Sequence, residues 1–357
     1  MPAPYAAITG WGMFVPERIL TNEELAQQID TTDEWIRERS GIRERHIAGE
    51  NDTTSTMSTA AARAALGRAG VSPEDVELII VATSSPDYIT PPVSSQIQAQ
   101  LGATRAGAFT VVVGCTGFVT GLVTAEQFIK TGAYRTILVI GAELISRNLD
   151  WTDRTTCVLF GDGAGAIVMQ ASETPCGISA FEFGSDGDSF DAIIQWSTGV
   201  VEPPTVQRIE EGRHYLRMNG REVFRFATTT MGASLMRALK KAEMSPEDID
   251  LLIPHQANAR IIEYAVKQIG LPPEKVVVNV ERYGNTSAAS IPIALYEALE
   301  AGRAKPGDTV AFVGFGAGLT WATAILTLSP DVPLPTGSER SRDSVIAEDG
   351  TVIGNIA

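Results

Sequence analysis

Two stretches of this chain are copies of one another. AlaGlyValSerProGluAspValGluLeuIleIle at 69–80 and AlaGluMetSerProGluAspIleAspLeuLeuIle at 242–253 stand 173 positions apart. The register continues without a gap, ThrIleLeuValIleGly from Thr136 lying over ThrValAlaPheValGly from Thr309. Chance likeness between two amphipathic helices explains one such match, but hardly two at the same offset. Each copy reads as a helix, a SerPro turn and a buried apolar strand, the grammar of a mostly parallel sheet covered by helices. An α/β fold of two halves, 1–173 and 174–328, is expected. The tail, 329–357, is polar, contains Pro and Ser and has no sustained periodicity, so it is expected to move freely or drape over the surface.

At 357 residues and 44% hydrophobic the chain has ample apolar material for two packed halves, which excludes a disordered chain. The first residues lack the charged start, long apolar stretch and cleavage site of a secretory leader, and no apolar run approaches the ~20 residues that span a bilayer. A cytoplasmic protein is therefore expected. Cys115, Cys157 and Cys176 are too few and too scattered for a disulfide framework, and His46, His214 and His255 show no metal-binding spacing, so neither disulfides nor a metal is expected. A net charge of -15 opposes nucleic acid and anionic membrane as partners.

Chemistry concentrates near the repeat. PheThrValValVal at 109–113 reads as a strand, GlyCysThrGly follows, and a helical pattern begins, which puts Cys115 at a strand-to-helix turn. Unpaired N–H groups at the helix start favour a thiolate there and can hold an oxyanion. A free cysteine is more often an inert core residue, but the residue 173 places after Cys115 is Ala288. One half keeps a thiol where its copy keeps a methyl, an asymmetry expected if one half carries the nucleophile and the other the supporting groups. His255, in IleProHisGlnAlaAsn, falls just past the repeated strand, where open α/β sheets place their sites. Asn285, in TyrGlyAsnThrSer, precedes the helix whose copy follows Cys115. GlyAspGlyAlaGly at 161–165 and GlyPheGlyAlaGly at 314–318 lack phosphate-loop spacing and read as tight turns, and an amide near Ala317 is placed to complete an oxyanion hole with that of Cys115.

Together GlyCysThrGlyPhe, IleProHisGlnAlaAsn, GlyAsnThrSerAlaAlaSer, GlyPheGlyAlaGlyLeuThrTrp and AspGluTrpIleArgGluArgSerGlyIleArgGluArg at 33–45 resemble β-ketoacyl-acyl-carrier-protein synthase III over about residues 5–328. The resemblance implies a duplicated five-layer αβαβα thiolase-like fold, a homodimer, and a Cys115-His255-Asn285 triad. The implied reaction loads an acyl group from acyl-coenzyme A onto Cys115, then condenses it with malonyl-acyl carrier protein as carbon dioxide leaves. Coenzyme A is here a substrate, and no cofactor is implied. The family's pattern further assigns coenzyme A contacts to Trp35, Arg39, Arg154 and Asn258, acyl carrier protein contacts to Arg225, Arg260 and Lys267, and an acyl-channel gate to Thr90. Thr110, Val113 and Gly114 stand where many members carry Asp and then Ala-Ala, and Arg221 stands where an Asn is common. Three rivals remain: a related ketosynthase of secondary metabolism or simple acyltransferase, a Cys-His-Asn hydrolase, and an inactive scaffold.

Overall fold

The computed structural model describes residues 5–332 and the backbone of two short paired strands at 345–346 and 352–353; the remainder of the tail lies outside the described residues. Two sheets carry the fold. The first contains β1 (Tyr5–Phe14), β2 (Leu78–Ala82), β3 (Gly107–Val111), β4 (Thr136–Glu143) and β5 (Gly163–Ser172), in the order β1-β5-β4-β2-β3. The second contains β6 (Gly177–Ser185), β7 (Leu251–Pro254), β8 (Thr309–Gly316) and β9 (Thr320–Thr327), in the order β7-β8-β9-β6. In each sheet a parallel pair, β2 with β4 and β7 with β8, continues into antiparallel neighbours. The two sheets therefore repeat one topology, the first adding β3 beyond β2.

The 173-residue offset survives as geometry. SerPro opens matching 3-10 turns at Pro73–Asp75 and Pro246–Asp248, because a proline in the first helical position has no amide to leave unpaired. The same offset relates β4 to β8, the 3-10 turn Gly114–Thr116 to Ser287–Ala289, and the start of helix Gly117–Lys130 to that of Ser290–Glu300. The helices named below are α1 (Asp33–Ser40), α2 (Thr54–Ala69), α3 (Val93–Leu101), α4 (Gly117–Lys130), α5 (Gly220–Lys241), α6 (Ala259–Ile269) and α7 (Ser290–Glu300).

Alternation along the buried strands sorts these helices into layers. Ile80 of β2 and Val139 of β4 face inward and pack with Phe118 and Leu122 of α4, Leu295 and Leu299 of α7, and Val310 and Phe312 of β8. Ile79 and Val81 face outward onto Met57 and Ala61 of α2 and Ile97 of α3. On the far side, Ala311 and Val313 meet Met231 and Leu235 of α5 and Ile261 and Ile262 of α6. The result is the five-layer αβαβα stack, with α4 and α7 sandwiched between the sheets. No helix among the described residues is long and apolar enough to cross a membrane.

The glycine-rich segments depart from the turn reading. Gly163 and Gly165 lie within β5, and Gly314 and Gly316 end β8, the chain reversing only after Gly316. The reason is close packing across the seam. A Cβ on Gly165 would lie 2.7 Å from the Pro292 Cβ, and one on Gly316 would lie 2.7 Å from the Cys115 amide nitrogen. The approach is tighter still at Gly141 in β4, where a Cβ would sit 2.2 Å from the Ala288 carbonyl oxygen. Gly141→Ala must move backbone, and overpacking of this kind costs ~1–3 kcal/mol, so a fall in Tm on the order of 5 °C is expected by thermal melting. Gly67, in helix α2 with nothing within 4 Å of an added Cβ, is the control: Gly67→Ala should raise Tm.

Candidate active site

Cys115 occupies the 3-10 turn between β3 and α4, with Gly114 at φ +55 supplying the bend. A Cβ on Gly114 would lie 3.0 Å from the Ala317 amide nitrogen, and the bare Cα of Gly316 leaves room beside the Cys115 amide. Both amide nitrogens expected for the oxyanion hole thus lie in one small region.

His255 follows β7 by one residue and is 1% exposed. Its amide donates to the Val313 carbonyl at 2.8 Å, and its Nδ1 meets the Ser290 hydroxyl at 2.6 Å. The Gln256 amide also donates to that oxygen, at 3.3 Å. With the Gln256 amide donating to the Ser290 oxygen, the arrangement in which that hydroxyl donates to Nδ1 places the ring proton on Nε2. Nε2 has no partner among the described residues, and burial pulls the imidazole down to about 3, so it stays neutral near pH 7 with Nε2 turned to the cavity that His255 lines. Phe315 backs the ring edge-on at 5.4 Å.

Asn285 is pinned by its backbone, donating to the Leu159 carbonyl at 2.8 Å and accepting from the Gly161 amide at 3.1 Å. Its Oδ1 accepts the Ser287 amide at 2.8 Å, which leaves Nδ2 as the free end. Cys115, His255, Asn285, Ser287 and Ala317 all line one cavity of about 520 Å³, mostly apolar within. The repeat explains the asymmetry: Ser290 and His255 match Gly117 and Ala82, which in the first half make only a close apolar contact.

The expected thiolate meets an opposing effect. Burial pushes the Cys115 thiol up to about 12, the neighbouring Ser287 hydroxyl pulls it down, and the nearby Glu143 carboxylate raises it again. The resting group is a thiol. Ser287, Ser290, Phe315 and Glu143 escape the sequence reading; a carboxylate closing the otherwise apolar strand ThrIleLeuValIleGlyAlaGlu was the available signal.

At the cavity mouth stand Trp35, Arg39, Arg154, Arg221, Asn258 and Arg260. Arg39 and Arg154 both lie over the Trp35 ring, at 5.0 and 5.1 Å from its centroid. Asn258 caps α6, its Oδ1 accepting the Arg260 amide at 2.9 Å while Nδ2 donates to the Arg39 carbonyl at 2.9 Å. Arg225, Arg260 and Lys267 are exposed on the adjacent helices α5 and α6 with Glu263 among them, and Arg260 also stacks on Phe224 at 5.7 Å. Thr90 is brought to none of this. It is exposed beside Tyr88 and Ile89 and does not line the cavity. The atypical Thr110 accepts the Ser94 amide at 3.3 Å.

A duplicated αβαβα stack with a cysteine, a neutral histidine donor and an asparagine donor converging at its seam defines a thiolase-fold condensing enzyme. Residues 109–187 match the model of 3-oxoacyl-[acyl-carrier-protein (ACP)] synthase III, and residues 239–328 that of its C-terminal part. The β-ketoacyl-[acyl-carrier-protein] synthase III of Roseiflexus sp. (strain RS-1) is 49% identical over 91% of this chain and 98% of its own length. The crystal structure of 3-oxoacyl-[acyl-carrier-protein] synthase III from Aquifex aeolicus VF5 superposes with a TM-score of 0.84 at 43% identity, covering 90% of this chain and 99% of that one. The priming β-ketosynthase of the R1128 polyketide biosynthetic pathway gives 0.85 at 36% identity, covering 92% and 98%. The chain belongs to the β-ketoacyl-[acyl-carrier-protein] synthase III family, and as a member it is an acyl-condensing transferase of fatty acid synthesis.

The neutrality of His255 is directly measurable. Because burial holds its folded value near 3, its ring resonances should not titrate between pH 5 and 9 in ¹⁵N-histidine NMR spectra, with His255→Asn assigning the peak. Titration near 6.5 would contradict the sealed setting.

Proposed function

We propose that Cys115 accepts an acyl group from acyl-coenzyme A and that His255 and Asn285 then drive decarboxylative condensation with malonyl-acyl carrier protein, yielding 3-oxoacyl-acyl carrier protein. The observation that carries this reading is the pairing of two uncommitted N–H donors, His255 Nε2 and Asn285 Nδ2, with a thiol in one largely apolar cavity. As carbon dioxide leaves, charge gathers on the malonyl thioester oxygen. Two fixed donors in a dry pocket stabilise that enolate without reorganising, and a neutral imidazole donates without adding a charge of its own. The enolate attacks the acyl-Cys115 carbonyl, whose oxygen the Cys115 and Ala317 amides receive. A hydrolase would need its histidine as a base, and an imidazole held near 3 by burial is a poor one.

The mouth fits coenzyme A in kind. Arginines 39, 154, 221 and 260 offer cations to phosphates on a chain of net charge -15, and Trp35 offers a face to adenine. Asn258, although occupied as a helix cap, borders the route of the pantetheine arm. The basic surface of Arg225, Arg260 and Lys267 beside the mouth suits an acidic carrier protein. A homodimer is the reading for the edge strand β3, next to which Ile89 is 79% and Val112 67% exposed. Thr90 belongs to this face, and its role as a gate, leaving room for medium or longer primers, rests on the second copy. The R1128 relative makes a priming ketosynthase of secondary metabolism the second reading; the acyl groups used in vitro separate the two.

Acyl-coenzyme A alone should add one acyl mass to the protein and none to Cys115→Ala, as read by intact mass spectrometry. His255→Ala or Asn285→Ala should retain acylation while condensation falls ~10²-fold or more. Equal loss in both half-reactions would reject the division of labour. Lys267→Glu, which lies outside the cavity lining, should raise KM for malonyl-acyl carrier protein at low salt, less so at high salt, without slowing acylation, whereas Arg260→Glu should impair both half-reactions.

A further inference from the structure

Beneath the nucleophile lies a carboxylate that the chemistry above leaves unused. Glu143, the last residue of β4, is fully buried on a strand that is otherwise apolar apart from Thr136. Its Oε2 accepts the Ser85 hydroxyl at 2.6 Å and the Ser84 amide at 3.2 Å, with the Thr83 hydroxyl at 3.4 Å. Its Oε1 accepts the Ser84 amide at 3.1 Å and the Ser287 hydroxyl at 3.0 Å. Ser287 also lines the cavity with Cys115, and its hydroxyl pulls the thiol down. That serine has φ +48, a left-handed conformation unusual outside glycine, which holds its hydroxyl between the two acidic groups. Facing the carboxylate are thus Thr83, Ser84 and Ser85 beyond β2, Ser287 from the opposing turn and, through it, Cys115. None of its hydrogen-bond partners is a lysine, arginine or histidine.

A buried anion with no cation among its described partners is an expensive way to anchor hydroxyls and an amide that a neutral glutamine oxygen would also serve. An ionised Glu143 moreover disfavours the thiolate that acylation requires. Both difficulties vanish if the carboxylate is the group that becomes protonated. We propose that Glu143, acting through Ser287, takes up the Cys115 proton in the acylation half-reaction. The thiol S–H bond breaks as its proton moves to the Ser287 oxygen, and the original Ser287 O–H bond breaks as that proton moves to Glu143. Cys115 is left as a thiolate facing a serine donor and a neutral acid. The sulfur pair attacks the acyl carbonyl, and the carbon–sulfur bond to coenzyme A breaks with its electrons on the leaving sulfur. Ser287, which lines the cavity, protonates that sulfur and is reprotonated by Glu143, which ends the half-reaction as a carboxylate. Burial raises the Glu143 carboxyl to about 7, a value suited to giving and taking a proton near neutral pH. His255 has no part in this step.

The inference rests on Cys115 being the acyl acceptor, and the experiment separates the two. Single-turnover acylation by acetyl- and butyryl-coenzyme A is followed by intact mass from pH 6 to 9 for wild type, Glu143→Gln, Ser287→Ala and the double variant, with Tm reporting folding. Wild-type acylation should rise with pH and level off above about 7, where the carboxylate is formed. Each single variant should be ~10²-fold slower at pH 7, closing the gap as pH rises and solvent takes the proton, and the double variant should be no slower than either single. If Glu143 only anchors the loop, or only repels the thiolate, folded Glu143→Gln will acylate as fast as wild type or faster at every pH, which overturns the proposal while leaving Cys115 in place. If Glu143→Gln does not fold, Ser287→Ala decides, since it leaves the Ser84 and Ser85 contacts intact; wild-type rates in that variant overturn the relay. A wild type that gains no acyl mass on Cys115 removes both readings.

Discussion

Everything at the site depends on how closely two helix-start turns press together at the seam. The turn at Gly114–Thr116 rests on Gly314 and Gly316 of the second sheet, while its copy at Ser287–Ala289 rests on Gly141 of the first. Each half thus lends a bare strand to the other's turn. The contact is satisfied only if the helices α4 and α7 enter side by side between the sheets, so the five-layer stack and the position of Cys115 are one constraint. Small residues at 141, 288, 314 and 316 are required by that approach, not by any need of the chain to turn.

Pressing the turns together also dries the site. Burial keeps the His255 imidazole neutral, raises the Cys115 thiol and lifts Glu143 to about 7. These shifts share one cause and differ in consequence. The histidine becomes a permanent donor, whereas the thiol and the carboxyl become a pair between which a proton can be exchanged without leaving the protein. Among the described residues the cavity lining holds four arginines and no carboxylate, so ligand attraction is a local property of a globally acidic molecule.

Much of this was legible from the sequence because duplication makes position informative. A cysteine opposite an alanine, and a histidine and an asparagine at corresponding strand and helix ends, stand out once the 173-residue register is known. The layers follow from apolar strands flanked by helical periodicity. Less was legible where a residue's role depends on what lies across the seam. The glycines of 161–165 and 314–318 read as turns because loss of a side chain looks the same whether it frees a φ angle or admits a neighbour. Ser287 and Ser290 are ordinary serines until the partners His255 and Glu143 are seen. Thr90, read as a channel gate, is exposed and does not line the cavity, so nothing within a single chain expresses that reading.

The mouth has a property of its own. Arg154 already lies 5.1 Å from the centre of Trp35, and it donates to the Asp30 carbonyl at 2.8 Å. A planar ring slipped between two faces needs about 7 Å, twice the stacking contact distance. Any aromatic visitor must therefore evict a resident guanidinium and restore an equivalent contact on its own far side. Recognition becomes a substitution, not an addition: a flat ligand without anionic groups gains little by the trade, whereas one that also brings phosphates to Arg39 and its neighbours wins the exchange. A guanidinium over the indole face thus discriminates against flat hydrophobic molecules that bring no anion of their own.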